Sequence, residues 1–174
     1  MLKDFSLLVT TSRGNERDAC SELAYLLGEI GDSSPNVNRT GVSGVITAKT
    51  AMVPSDVVDG LRRILSERPY EFRFLLRVIP IEKVVRTDLA SIQQGSAELG
   101  SRIKENETFR ITVEKRFTAL STRQIIETAA AQIKREVNLE KPDKILMIEV
   151  VGGSTGISLV KPDGILSVLK EKLL

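Results

Sequence analysis

The sequence predicts an α/β (α+β) chain made of two modules of similar size, and three observations lead there. Short apolar runs with period-two alternation are interleaved with segments whose apolar residues recur every three to four positions. The first half gives the order β-α-β-β-α-β. The second half alternates strand-like and helix-like runs again, after a helical segment that opens near Asp88.

In chain order, Phe5 to Thr11 reads as a short buried strand, and Asn15 to Ile30 as a helix with Ala19, Leu23, Leu26, Leu27 and Ile30 on one face. Asn36 to Thr40 and Gly44 to Thr50 flank a short turn, as in a hairpin. Pro54 and Ser55 open a helix with Val57, Val58, Leu61, Ile64 and Leu65 on one stripe. Phe72 to Ile79 alternates Phe72, Phe74, Leu76 and Val78, and Pro80 is expected to interrupt its ladder. This order suggests a ferredoxin-like module.

From Asp88, Leu89, Ile92, Leu99 and Ile103 follow a helical period, which Gly95, Ser96 and Gly100 weaken into a connector. Phe109 to Phe117 reads as a strand with Phe109, Ile111 and Val113 facing inward. Ser121 with Gln124 forms a capping box that starts a helix, whose buried stripe is Ile125, Ile126, Ala129, Ile133 and Val137. Ile145 to Val151 is apolar enough for a central strand. Gly152 to Gly156 turns the chain into Ile157 to Val160; it matches no nucleotide-binding glycine pattern and is expected to connect strands. The domain boundaries are expected at 1–86 and 87–174.

Composition excludes much chemistry. The 174 residues contain no histidine and one cysteine, so Ser-His-Asp triads, Cys-His dyads and ordinary zinc sites are not available, and neither a metal nor a cofactor is expected. No apolar run reaches the roughly 18 residues of a membrane span. The start lacks the pattern of a secretory leader, and a lone thiol fits a reducing compartment; the expected location is cytoplasmic. Cys20 lies at helical spacing with Leu23, Ala24 and Leu27 and reads as packing.

Net charge is only +2, but between Arg110 and Arg135 six cations face two anions, Glu114 and Glu127. Six minus two leaves +4, the first sign of a polyanionic partner. Within this stretch Lys115 falls on the inward phase of its strand, where an unpaired ammonium cannot be buried. The strand is therefore expected to end there and set Lys115 and Arg116 at the carboxyl edge of the sheet. The helix start at Ser121 offers free N–H groups to an anion, and Arg123 in its first turn suits a bound phosphate better than it suits the helix dipole. Arg110 is a lesser candidate. A second, weaker junction places Arg13 beside the first helix start. Glu149, an acid inside an apolar strand, is read either as paired or as facing the sheet edge. Arg62, Arg63 and Arg68, late in a helix, read as structural.

These residues carry a resemblance. From about Leu89 to Val168 the chain resembles a THUMP domain, the RNA-binding module of several tRNA-modifying proteins. The likeness runs through Glu107-Thr108-Phe109-Arg110-Ile111, Glu114-Lys115-Arg116, the Ser121-Thr122-Arg123 helix start, Val137 to Asp143 and Thr155-Gly156-Ile157-Ser158. The first half is similar to the ferredoxin-like domain that usually precedes THUMP. The resemblance implies a THUMP α/β module with a mixed sheet, and RNA binding by both modules at the acceptor stem and 3′ CCA end of tRNA. Catalysis is left to another domain: a pyrophosphatase-type ATP module in 4-thiouridine synthetases, a Rossmann-like one in THUMP methyltransferases. With the sequence ending at Leu174, the likeness is to stand-alone THUMP proteins, similar to the adaptor that assists an RNA acetyltransferase in making N4-acetylcytidine. The expected function is a non-catalytic tRNA-binding adaptor with that kind of enzyme as partner. A different modification system (thiolation or methylation) and a ferredoxin-like interaction module are the alternatives. An RNA-recognition motif fits poorly, because strand Gly44 to Thr50 has no aromatic residue on which to stack bases.

Overall fold

In the computed structural model residue 2 and residues 4–173 are described, and the chain divides into two compact units. Residues 4–81 with the segment from 164 form the first, and residues 82–163 the body of the second.

The first unit runs β1 (Leu7–Thr10), α1 (Glu16–Glu29), β2 (Asn36–Arg39), β3 (Val45–Lys49), α2 (Pro54–Glu67) and β4 (Arg77–Pro80). Its sheet pairs β4 with β1, β1 with β3 and β3 with β2, all antiparallel, which is the ferredoxin-like arrangement expected from the element order. Proline begins α2 where its missing N–H costs nothing. Its predicted stripe is buried throughout, with Leu61 fully enclosed. Each such side chain contributes about 1.5–3 kcal/mol, so Leu61→Ala would cost about 2–5 kcal/mol.

The strand expected over 72–79 is only half formed. The N–H groups of Arg73, Phe74 and Leu75 donate instead to the Glu22 carboxylate of α1, at 2.7, 3.0 and 2.8 Å. A side-chain acceptor has taken the donors that a ladder needs, so bonding to β1 begins only at the Leu76 N–H, which donates to the Thr10 carbonyl at 2.9 Å. Pro80 then pairs opposite Leu7 instead of interrupting the ladder.

The second unit runs β5 (Lys83–Arg86), α3 (Leu89–Gly100), β6 (Thr108–Glu114), α4 (Thr122–Ala130), β7 (Glu136–Val137), β8 (Lys144–Val151) and β9 (Ser154–Val160). The sheet order is β5-β9-β8-β6-β7. Pairs β5–β9 and β9–β8 are antiparallel, β8–β6 and β6–β7 parallel, so the sheet is mixed as expected. Helices α3 and α4 cover one face through Ile92, Ile125 and Ala129 against Leu146, Ile148, Val150 and Ile157. The glycines of α3 do not mark a weak connector: a methyl group on Gly95 would stand 2.9 Å from Ile157 Cδ1, and one on Gly100 2.7 Å from Ile133 Cδ1. They let the helix approach its neighbours. Helix α4 stops at Ala130, so Val137 lies on β7, not on the helix stripe, and is exposed.

Two elements shift the expected boundary at 86/87. Strand β5 belongs to the second sheet, through β9. The chain then returns to the first unit, where β10 (Leu166–Ser167) pairs with β4 and is followed by α5 (Val168–Lys172). Arg62 of α2 anchors this return by donating to Glu171 at 2.6 Å and to the Ile165 carbonyl at 3.1 Å. Arg68 meets Glu29 at 3.0 Å, in keeping with a structural role.

Candidate nucleic-acid interface

Strand β6 ends at Glu114, earlier than the expected 117, so Lys115 escapes burial and stands exposed. Seven residues, Lys115 to Ser121, lead into α4 at the carboxyl end of the parallel β6–β8 pair, the side of such sheets where ligands gather. Lys115 Nζ donates to the Leu120 carbonyl at 3.2 Å. That bond leaves the ammonium charge unneutralised.

The capping box forms as predicted. Ser121 Oγ accepts from the Gln124 N–H at 3.0 Å, and Gln124 Oε1 accepts from the Ser121 N–H at 2.9 Å. The N–H groups of Thr122 and Arg123 have no acceptor among the described residues. This helix start is therefore supplied with a structural cap and keeps two donors open.

The two arginines of the corner differ by magnitude. Arg123 Nε meets Glu127 at 2.8 Å, with side chains 88% and 64% exposed. An exposed i,i+4 pair is worth about 0.3–0.5 kcal/mol, which a phosphate can displace. Arg116 Nη1 meets Glu149 Oε2 at 3.0 Å, with side chains only 17% and 4% exposed. Removing one partner of such a pair costs about 3–5 kcal/mol. Arg116, expected to offer its charge to RNA, is thus held inward by a carboxylate of β8 and is a partner of that carboxylate inside the sheet. Glu149 alternates away from Ile148 and Val150, on the face that α3 and α4 do not cover.

The lesser candidates separate. Arg110, mid-strand in β6, donates to the Leu139 carbonyl at 2.9 Å and stands half-buried, outside the corner. Arg13 lies in the first unit, exposed in the turn before α1. There the Glu16 carboxylate already accepts the Gly14 N–H at 3.0 Å and the Gly44 N–H at 2.8 Å. The anion at this helix start is the chain's own. The Gly44 bond above all, then its own and Gly14's N–H, hold the Glu16 carboxyl below the usual carboxylate range.

Other titrations are structural too. The Lys144 ammonium, 2.5 Å from Glu107, and next the Lys104 N–H keep the Glu107 carboxyl low. Burial pushes the Cys20 thiol up, away from nucleophilic use. Among the described residues no group of three His, Cys, Asp or Glu side chains could hold a metal. The glycine turn closes β8 onto β9 as a two-residue hairpin, Gly152 at φ +58°, and Gly152 N–H donates to the Arg116 carbonyl at 2.8 Å.

One residue of the corner was not anticipated. Phe117, read from the sequence as the strand's last residue, has φ +56° and is 79% exposed. Left-handed backbone costs a bulky residue about 1–2 kcal/mol. Its only sequence signal is position: an aromatic directly after two cations, at a strand-to-helix junction.

Residues 86–160 match the family model of the THUMP domain. These residues are a THUMP domain. No curated protein matches the sequence. Among solved structures the fold is similar to PH1313 from Pyrococcus horikoshii Ot3, with TM-score 0.62, 18% identity, 91% of this chain and 55% of that chain covered. It is similar to a 4-thiouridine synthetase solved as an RNA complex with bound ATP, with TM-score 0.57, 13% identity and coverage of 94% and 42%. TrmN from Thermus thermophilus gives TM-score 0.55, 14% identity and coverage of 90% and 45%. The chain spans about half the length of these proteins. No helix of the described residues is long and apolar enough to cross a membrane.

Proposed function

We propose that the chain is a non-catalytic tRNA-binding adaptor that presents the acceptor stem and 3′ CCA end to a separate RNA-modifying enzyme. The enzyme class we favour is an acetyltransferase making N4-acetylcytidine. The observation that carries RNA binding is the β6–α4 corner, where exposed Lys115 and weakly paired Arg123 stand beside two open helix N–H groups. Arg110 and Arg13 are peripheral contributors, and Ser121 acts by holding the helix start in shape. The THUMP domain supports RNA as the polyanion.

The mechanism needs no acid, base or metal from this chain. Backbone contacts fix the orientation of the RNA and carry no sequence information. Holding the RNA beside the partner's active centre raises its effective concentration there and orients the target base. A second reading, the tRNA-binding part of a thiolation or methylation system, is favoured by the likeness to a 4-thiouridine synthetase.

Reconstitution separates these. The adaptor reading predicts N4-acetylcytidine only when tRNA, an RNA acetyltransferase and this chain are all present, with loss of stimulation on tRNA trimmed of its CCA end. Acetyl transfer by this chain alone, or no stimulation together with loss of a thiolated or methylated nucleoside in cells lacking it, overturns that reading.

A further inference from the structure

The five phenylalanines divide sharply. Phe5, Phe72 and Phe109 are buried to within 2%, Phe74 packs against the first core, and Phe117 alone stands exposed. Water gives no reason to keep a ring there, since burying one is among the larger gains open to a chain of this size.

The loop is built to hold it out. The peptide that precedes Phe117 is fixed on both sides: the Arg116 guanidinium is bound to Glu149, and the Arg116 carbonyl accepts the Gly152 N–H. On the far side Thr118 Oγ1 accepts the Leu120 N–H at 3.2 Å, and the capping box follows. Phe117 sits between these anchors in left-handed backbone. Arg116 thereby gains a positioning role.

Exposed Lys115 lies two residues before this ring, and exposed Arg123 with the open N–H groups of Thr122 and Arg123 lies in the first turn of the helix that follows, so the loop and the helix start together carry groups that attract phosphate. Protein-binding hot spots sit inside packed apolar patches, whereas Phe117 has half-buried Thr118 and exposed Ala119 as its neighbours. A single ring among cations suits a ligand that is both flat and anionic. Bases in an A-form duplex are already stacked and lie in grooves a ring cannot enter, so the base must be unpaired.

We infer that Phe117 is a stacking platform for an unpaired nucleobase of the bound RNA, with Lys115 and Arg123 holding the adjoining phosphates. This rests on the RNA-binding reading above and adds to it a residue that engages bases where the others engage backbone.

The chain contains no tryptophan, so Phe117→Trp places one fluorophore at the site. A short single-stranded oligoribonucleotide should quench its emission, and the same strand with abasic units should bind without quenching. Phe117→Ala should weaken binding of the intact strand about 5- to 100-fold while leaving the salt dependence unchanged. Phe117→Gly, free of the backbone penalty, should lose the same affinity with no fall in melting temperature. Wild-type affinity in Phe117→Ala overturns the stacking role and leaves the RNA-binding reading standing. RNA binding retained in that variant while it loses a partner protein assigns the ring to a protein interface and also overturns it. No RNA binding by the unaltered protein overturns both.

Discussion

Arg116 on the loop after β6 and Glu149 in β8 close a buried ion pair, Nη1 to Oε2 at 3.0 Å. It ties the corner to the centre of the sheet, because β6 and β8 are parallel neighbours in register from Phe109 to Glu114. This pair, with the Gly152 N–H on the Arg116 carbonyl, thus holds the loop in position.

Breaking that pair on one side removes a charge-assisted bond from a largely buried place. Arg116→Ala and Glu149→Ala should each destabilise the fold by about 3–5 kcal/mol, read as a lowered urea midpoint. Arg116→Met with Glu149→Leu should recover most of that loss, since an apolar pair of similar volume removes both desolvation penalties. Independent, additive losses would show that the pair is not the unit of stability.

Glu22 holds three backbone donors of the segment between α2 and β4. Glu22→Ala should cost about 1–3 kcal/mol by leaving them without their acceptor. Amide exchange at Phe74 and Leu75 should quicken more than exchange in β3. Equal acceleration everywhere would mean that Glu22 acts only through global stability.

Glu16 gives a pH dependence with a definite sign. Its folded carboxyl lies below its unfolded value, because the Gly44 N–H and its fellow donors favour the anion. The stabilisation is therefore complete above the unfolded carboxyl's value, about 4.3, and is lost as pH falls through the folded one. The stability gap between the unaltered protein and Glu16→Gln should be flat at neutral pH and close in acid. NMR titration of Glu16 at an ordinary or raised value would contradict this.

The βαββαβ order, the capping box and the exposure of Lys115 were legible, because each follows from local period or a local cost; the mixed sheet was implied by the resemblance. What escaped was decided by distant partners. Nothing near residue 72 announces that Glu22, fifty residues earlier, will take its N–H groups. Gly95 and Gly100 look like helix weaknesses until Ile157 and Ile133 are seen against them. The return of the chain from residue 164 to β4 rests on two paired residues, too few to leave a pattern. At the candidate site, residue type and spacing brought Lys115, Arg116 and Arg123 to one corner. Which of them faces solvent depended on Glu149, whose strand neighbour across the sheet no local pattern identifies. Phe117 was hidden by reading its strand three residues too far.

The central claim is that RNA phosphates are held at the β6–α4 corner, and tRNA binding across a salt series measures it directly. The unaltered protein should show log K falling linearly with log salt. Lys115→Ala with Arg123→Ala should bind more weakly at low salt, with a slope shallower by about 0.7–0.9 for each phosphate no longer neutralised. An unchanged slope and affinity in the double variant would place the RNA elsewhere and contradict the account.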